Sequence, residues 1–175
     1  LAPLPAALAG FLLLLALLYL TVATFALRAE TYPQTPPFDE MARALTDYLS
    51  GRAGGLPSGL FIEQERLHMA DVLGLFRGAG RIASACFLGA LPLLFLSLLL
   101  GGRRKMGAGL LIGVALFAGL ALSLGIWALI DFDGWFTAMH EMAFTNDLWL
   151  LDPAESMLIR MLPLDFFIRA SRTVA

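Results

Sequence analysis

Three long apolar runs divide the chain. They cover residues 5–27, with FLLLLALLYL at the heart of the first, then 82–100 and 107–130. Runs of about 19–24 residues, rising ~1.5 Å per residue, reach about the 30 Å hydrocarbon thickness of a bilayer. Each is therefore expected to be a transmembrane helix. The first exceeds the roughly 7–15 apolar residues of a signal peptide and no basic residue precedes it, so it reads as an uncleaved helix.

Polar stretches with helical periodicity lie between and after the runs. Residues 28–37, RAETYPQTPP, hold three prolines and read as an extended linker. Thr35 is placed as a helix N-cap with Pro36 at the first helical position. Phe38, Met41, Leu45, Tyr48 and Leu49 then form one face of a short helix that Ser50-Gly51 closes. GRAGGLPSG is a flexible loop. Residues 60–77 predict a second amphipathic helix, with Met69, Val72, Leu73 and Phe76 on its apolar face. After the third run, DFDG is read as a break, followed by a helix in which Phe136, Met139, His140 and Ala143 share a face. Asp152-Pro153-Ala154-Glu155 has capping-box spacing ahead of Met157, Leu158, Met161 and Leu162, and Pro163 ends that helix. LPLDFFIRASRTVA reads as the start of another helix.

Composition strengthens the membrane reading. The 175 residues are 59% hydrophobic and 15% charged, against about 45–50% and 25% in soluble domains. The fold class expected is all-α, a polytopic membrane helix bundle with three visible spans and short amphipathic interfacial helices. The whole chain is one membrane domain. A net charge of −2 offers no basic surface for nucleic acid. The single cysteine, Cys86, excludes an internal disulfide and reads as a small buried hydrophobe. The short loop 101–106 carries Arg103, Arg104 and Lys105 and is assigned to the cytoplasm. Segments 28–79 and 131–175 then face the other side, and two successive spans put both histidines, His68 and His140, on that side.

Each histidine has acids close by. Glu65, His68 and Asp71 are three apart, so both carboxylates can flank the imidazole, orient it and raise its pKa. His140 opens HEMAFTNDLWLLDP, which packs polar groups among apolar ones. There Asn146 is either a hydrogen-bond donor to a carbonyl oxygen or a turn residue. Trp149 suits the membrane interface, and Asp152 reads more readily as a helix cap than as a catalyst. Three readings stay open on the residues alone. The histidines act in general acid–base catalysis. They join carboxylates as metal ligands in a membrane-embedded metal-dependent hydrolase, although neither HxxxH nor HExxH is present. Or the chain is a non-catalytic assembly or transport subunit that binds a partner through the Met69/Val72/Phe76 face.

HMADV, together with H-x₅-N-D-x-W-x-x-D-P and the LP element after it, resembles the two signature regions of the lipoprotein intramolecular transacylase (Lit) family. The resemblance runs through the whole chain in order. It implies a bacterial enzyme of the cytoplasmic membrane whose site faces the outer leaflet, among membrane phospholipid. Its partners would be diacylglyceryl-modified lipoproteins. It would move the sn-2 acyl chain of the S-diacylglyceryl group to the α-amine of the N-terminal cysteine, giving a lyso-form lipoprotein without a cofactor. His68 and His140 match the family's signature histidines and would be catalytic, with Glu65, Asp71, Asn146, Trp149 and Asp152 supporting or binding substrate. The resemblance also implies a fourth span after the LP element, for which the residues up to Ala175 leave no room. Leu164-Asp165 stands where the family's glutamate is expected.

Overall fold

The computed structural model describes residues 3–163 and Phe166. The element order is α1 (Leu4–Ala26), a 3-10 turn (Ala29–Thr31), α2 (Phe38–Leu49), α3 (Glu63–Ile130), α4 (Phe132–Ala143) and α5 (Met157–Met161). No strand occurs among the described residues. The continuation expected in 164–175 lies outside the described residues, apart from Phe166. Two helices, α1 and α3, are long and apolar enough to cross a membrane. The described residues fall into two compact units, one from 1–20 with 77–143 and one from 21–76 with 144–175.

α3 departs from the expected pattern. The helix predicted over 60–77 and the run 82–100 form one uninterrupted helix. Between them stand Gly78 and Gly80 but no proline and no capping group. Each glycine costs about 1 kcal/mol against alanine in a helix, too little to end one. Pro92 also lies inside helical backbone. The break falls at Gly102, whose φ of 66° and ψ of −178° are readily adopted only by glycine. It separates a first arm of α3 from a second.

In the first unit both arms pack on α1. A side chain at Gly109 would collide with the Pro3 carbonyl and Ala6, and one at Gly113 with the Ala7 carbonyl and the Phe11 amide. GLLIG therefore works as a small-xxx-small seam that lets two backbones approach. Ala6 and Ala9 are wholly buried. Phe11 meets Phe117 edge-on at 6.0 Å, so the second arm runs parallel to α1. On the first arm, the Tyr19 hydroxyl lies against Gly80. Leu13, Leu17, Phe87 and Leu88 line an open apolar groove of about 640 Å³ there. The chain thus doubles back at Gly102, where Arg103, Arg104 and Lys105 are exposed.

The second unit has an ordinary hydrophobic core. Met41 and Leu45 from α2, Leu56 and Phe61 from the loop, Met69 and Leu73 from α3, and Leu158 and Met161 from α5 pack together. The end of α1 is closed by side chains. Thr31 Oγ1 donates to the Phe25 carbonyl at 3.0 Å and the Tyr32 hydroxyl to the Ala26 carbonyl at 2.8 Å. Burial pushes the Tyr32 phenol up to about 12.

Two predicted caps move. Pro37, not Thr35, precedes α2, and Thr35 contributes only its carbonyl, to the Phe38 amide. Pro37, which would stand second in a helix capped by Thr35, has no N–H for that hydroxyl to reach. Asp152 does not cap a helix. Its Oδ1 accepts from the Ala154 amide at 2.8 Å in a turn. Ser156 caps α5, accepting from the Ile159 amide. The break read over DFDG is one residue long. Asp131 Oδ1 accepts from the Gly134 amide at 2.9 Å, so the carboxylate caps α4 from the position just before it.

Candidate active site

The polar residues Gln64, Glu65, His68 and Asp71 occupy successive positions along one side of the first turns of α3. In the second unit Gln64, Glu65 and Asp71 hydrogen-bond to the returning segment 144–158.

Glu65 is wholly buried. Its Oε2 accepts from the Ile62 amide at 2.9 Å. Its Oε1 accepts from the Ser156 hydroxyl at 2.6 Å and the Leu158 amide at 2.7 Å. An ionised carboxylate only accepts, and three donors suit it. Glu65 was expected to flank the imidazole three residues on. Its hydrogen bonds instead fasten the first turn of α5 and the N-terminus of α3.

His68 is buried, and the ring of Phe144 stands edge-on to it at 5.1 Å and 68°. Asp71 and Asn146, which sequence could only name separately, are brought together. Asn146 Nδ2 donates to Asp71 Oδ2 at 2.9 Å, and its Oδ1 accepts from the Leu148 amide at 3.1 Å. Both bonds require the same amide orientation, and one Nδ2 N–H remains beyond them. Gln64 was not anticipated. Its Nε2 donates to the Leu148 carbonyl at 3.2 Å and the Leu150 carbonyl at 3.0 Å. Trp149, half-buried, lies between those two carbonyls in sequence. A glutamine one turn before the histidine was the available signal, but nothing in sequence connects it to a segment over eighty positions away.

His140 belongs to the first unit, in the last turn of α4, and is the buried residue of that helix. The Phe136 ring lies against it, tilted by 39° with ring centroids 3.9 Å apart, as expected of residues four apart on one face. His140 Nδ1 is 2.8 Å from the Phe136 carbonyl. A carbonyl can only accept, so Nδ1 carries the proton and the neutral ring holds its lone pair on Nε2. Burial disfavours the charged ring and lowers its pKa from 6.5, while the Phe136 bond opposes the shift. The arrangement suits a base that stays neutral near physiological pH.

Among the described residues no three His, Cys, Asp or Glu side chains gather as a metal-ligand set.

The family model for lipoprotein intramolecular transacylase Lit matches residues 6–167. No curated protein matches. The crystal structure of the membrane-integral lipoprotein intramolecular transacylase Lit from Bacillus cereus shares the fold, with a TM-score of 0.68 and 23% identity over 99% of this chain and 83% of that one.

Proposed function

This chain belongs to the lipoprotein intramolecular transacylase (Lit) family, and we propose that it moves the sn-2 acyl chain of a lipoprotein's S-diacylglyceryl group onto the α-amine of its N-terminal cysteine. It is a membrane protein of the transferase class that modifies lipoproteins. In this reading α1 and the two arms of α3 are three spans. The loop around Gly102 is cytoplasmic, and the histidines work at the outer leaflet of the bacterial cytoplasmic membrane, among phospholipid. No cofactor takes part.

The amine nitrogen attacks the ester carbonyl carbon, and the C–O bond to glycerol breaks. One proton leaves nitrogen and one arrives at the glycerol oxygen, so an amide and a free hydroxyl result. An α-amine with pKa about 7.7–8.0 is mostly protonated near neutral pH and must first lose a proton. His140 is assigned as the base. The observation that carries this is its Nδ1–H bond to Phe136 together with its burial, which supports a neutral ring with a basic Nε2. His68 is assigned as the acid that protonates the leaving alkoxide. The remaining Asn146 N–H is the donor proposed for the tetrahedral oxyanion, with Asp71 holding the amide. Glu65 supports by fastening α5, and Trp149 and Asp152 by shaping the segment that carries Asn146. Amine and ester belong to one substrate, so much of the acceleration comes from holding them in contact.

The test is tandem mass spectrometry of a lipoprotein's N-terminal lipopeptide from cells without other N-acylation, with and without this protein. Intramolecular transfer leaves intact mass unchanged, so fragments decide. An acylated α-amine with a monoacylglyceryl sulfur is expected. A free amine, from protein shown to be inserted, would end the reading.

A further inference from the structure

We propose that Gln64 is a positioning residue for acyl transfer, a clamp that sets the 144–150 segment against His68. The inference rests on the transacylase reading. Its physical basis is the order of contacts along α3. Gln64 precedes His68 by four residues, so the two share a face one turn apart. The segment is held to that face by Phe144 on His68, Asn146 on Asp71 and the Leu148 and Leu150 carbonyls on Gln64. The first two contacts concern groups given chemical work. The third concerns only backbone.

One primary amide holding two carbonyls two residues apart uses both of its N–H donors. No other residue type with a side chain of that length offers two neutral donors there. Lysine would bring a charge, and glutamate would set a carboxylate against two carbonyl oxygens. The clamp lies next to Asn146 in the chain, since Asn146 Oδ1 accepts from the Leu148 amide while Gln64 takes the Leu148 carbonyl. Both sides of the Leu148 peptide neighbourhood are thereby fixed, and with them the direction of the Asn146 amide. Releasing the carbonyls would let Phe144 and Asn146 shift without removing any group that handles protons. Because a shift of about 1 Å near reacting groups can cost about a hundredfold, the effect should appear in kcat.

The experiment compares the full chain in detergent with its Gln64→Leu and Gln64→Glu variants on a synthetic diacylglyceryl lipopeptide. Gln64→Leu should lose roughly tenfold to a hundredfold in kcat with KM nearly unchanged. Hydrogen exchange at 144–150 should quicken while that of α2 does not change. Gln64→Glu supplies a donor only when protonated, so its rate relative to wild type should climb as pH falls. An unaltered kcat and unaltered exchange in Gln64→Leu would overturn the clamp, as would a flat Gln64→Glu to wild-type ratio across pH. Wild-type protein that transfers no acyl chain would overturn the underlying reading instead, and the exchange measurement would still report on the clamp.

Discussion

In the unit of 1–20 and 77–143, the largest apolar side chains point away from the protein. Leu111 is 71% exposed and Leu129 84%, while alanines and glycines fill the helix contacts. In the unit of 21–76 and 144–175 the order is reversed. Met41 is 1% exposed and Leu45 2%, and polar residues bridge distant segments. The first pattern fits lipid as the outer solvent, where helices gain little by hiding leucine and associate through close backbone approach. The second is that of a water-facing domain, stabilised by removing apolar area from solvent. One short chain thus uses two kinds of packing. Buried hydrogen bonds concentrate in the second, where a carboxylate such as Glu65 can be held by three donors.

The comparison can be broken at several points. The largest effect is expected at His140, the residue proposed as the base, in a unit otherwise built for packing. His140→Ala should lower acyl transfer by about 10²–10⁴, read as loss of the N-acylated lipopeptide fragment, with insertion intact. Near-normal transfer would remove His140 from the mechanism. Glu65→Leu comes next. It strands three donors in the interior, each costing about 1–3 kcal/mol, and should lower the melting temperature sharply.

A paired truncation then sharpens the contrast between the units. Met41→Ala should cost about 2–5 kcal/mol and Leu122→Ala, 65% exposed, under about 0.5. Equal melting temperatures would mean the two units do not pack differently. Gly113→Val should destabilise by about 1–3 kcal/mol, because the added carbons meet the α1 backbone. The smallest effect is in pH. The folded pKa of His140 lies below 6.5, so in the window between them the unfolded state binds more protons and stability rises with pH. The contribution is present above 6.5 and disappears as pH falls through the folded value. An NMR titration of the His140 ring should therefore find its midpoint below 6.5. A midpoint above it would contradict the burial argument.

Much of the candidate site was legible one residue at a time. His68, His140, Asp71 and Asn146 stand out because ionisable and amide groups are sparse in so apolar a chain. The order of contacts was not legible, because Asn146 and Asp71 are 75 positions apart and Glu65 and Leu158 are 93 apart. Spacing rules reach one or two helical turns. They correctly paired Phe136 with His140, and they wrongly directed Glu65 toward His68 and Asp152 toward a helix.

By itself the sequence determined the helical class, the apolar runs, the Gly102 region as the turn and the family, since each is written in local composition or contiguous motif. Tertiary structure decided that α3 runs unbroken from the polar face into the apolar run. It decided that GLLIG seats α1, and that Glu65 and Gln64 serve the returning segment rather than the histidine beside them. A buried polar group takes whichever partner folding brings within about 3 Å, and that partner depends on the path of the whole chain.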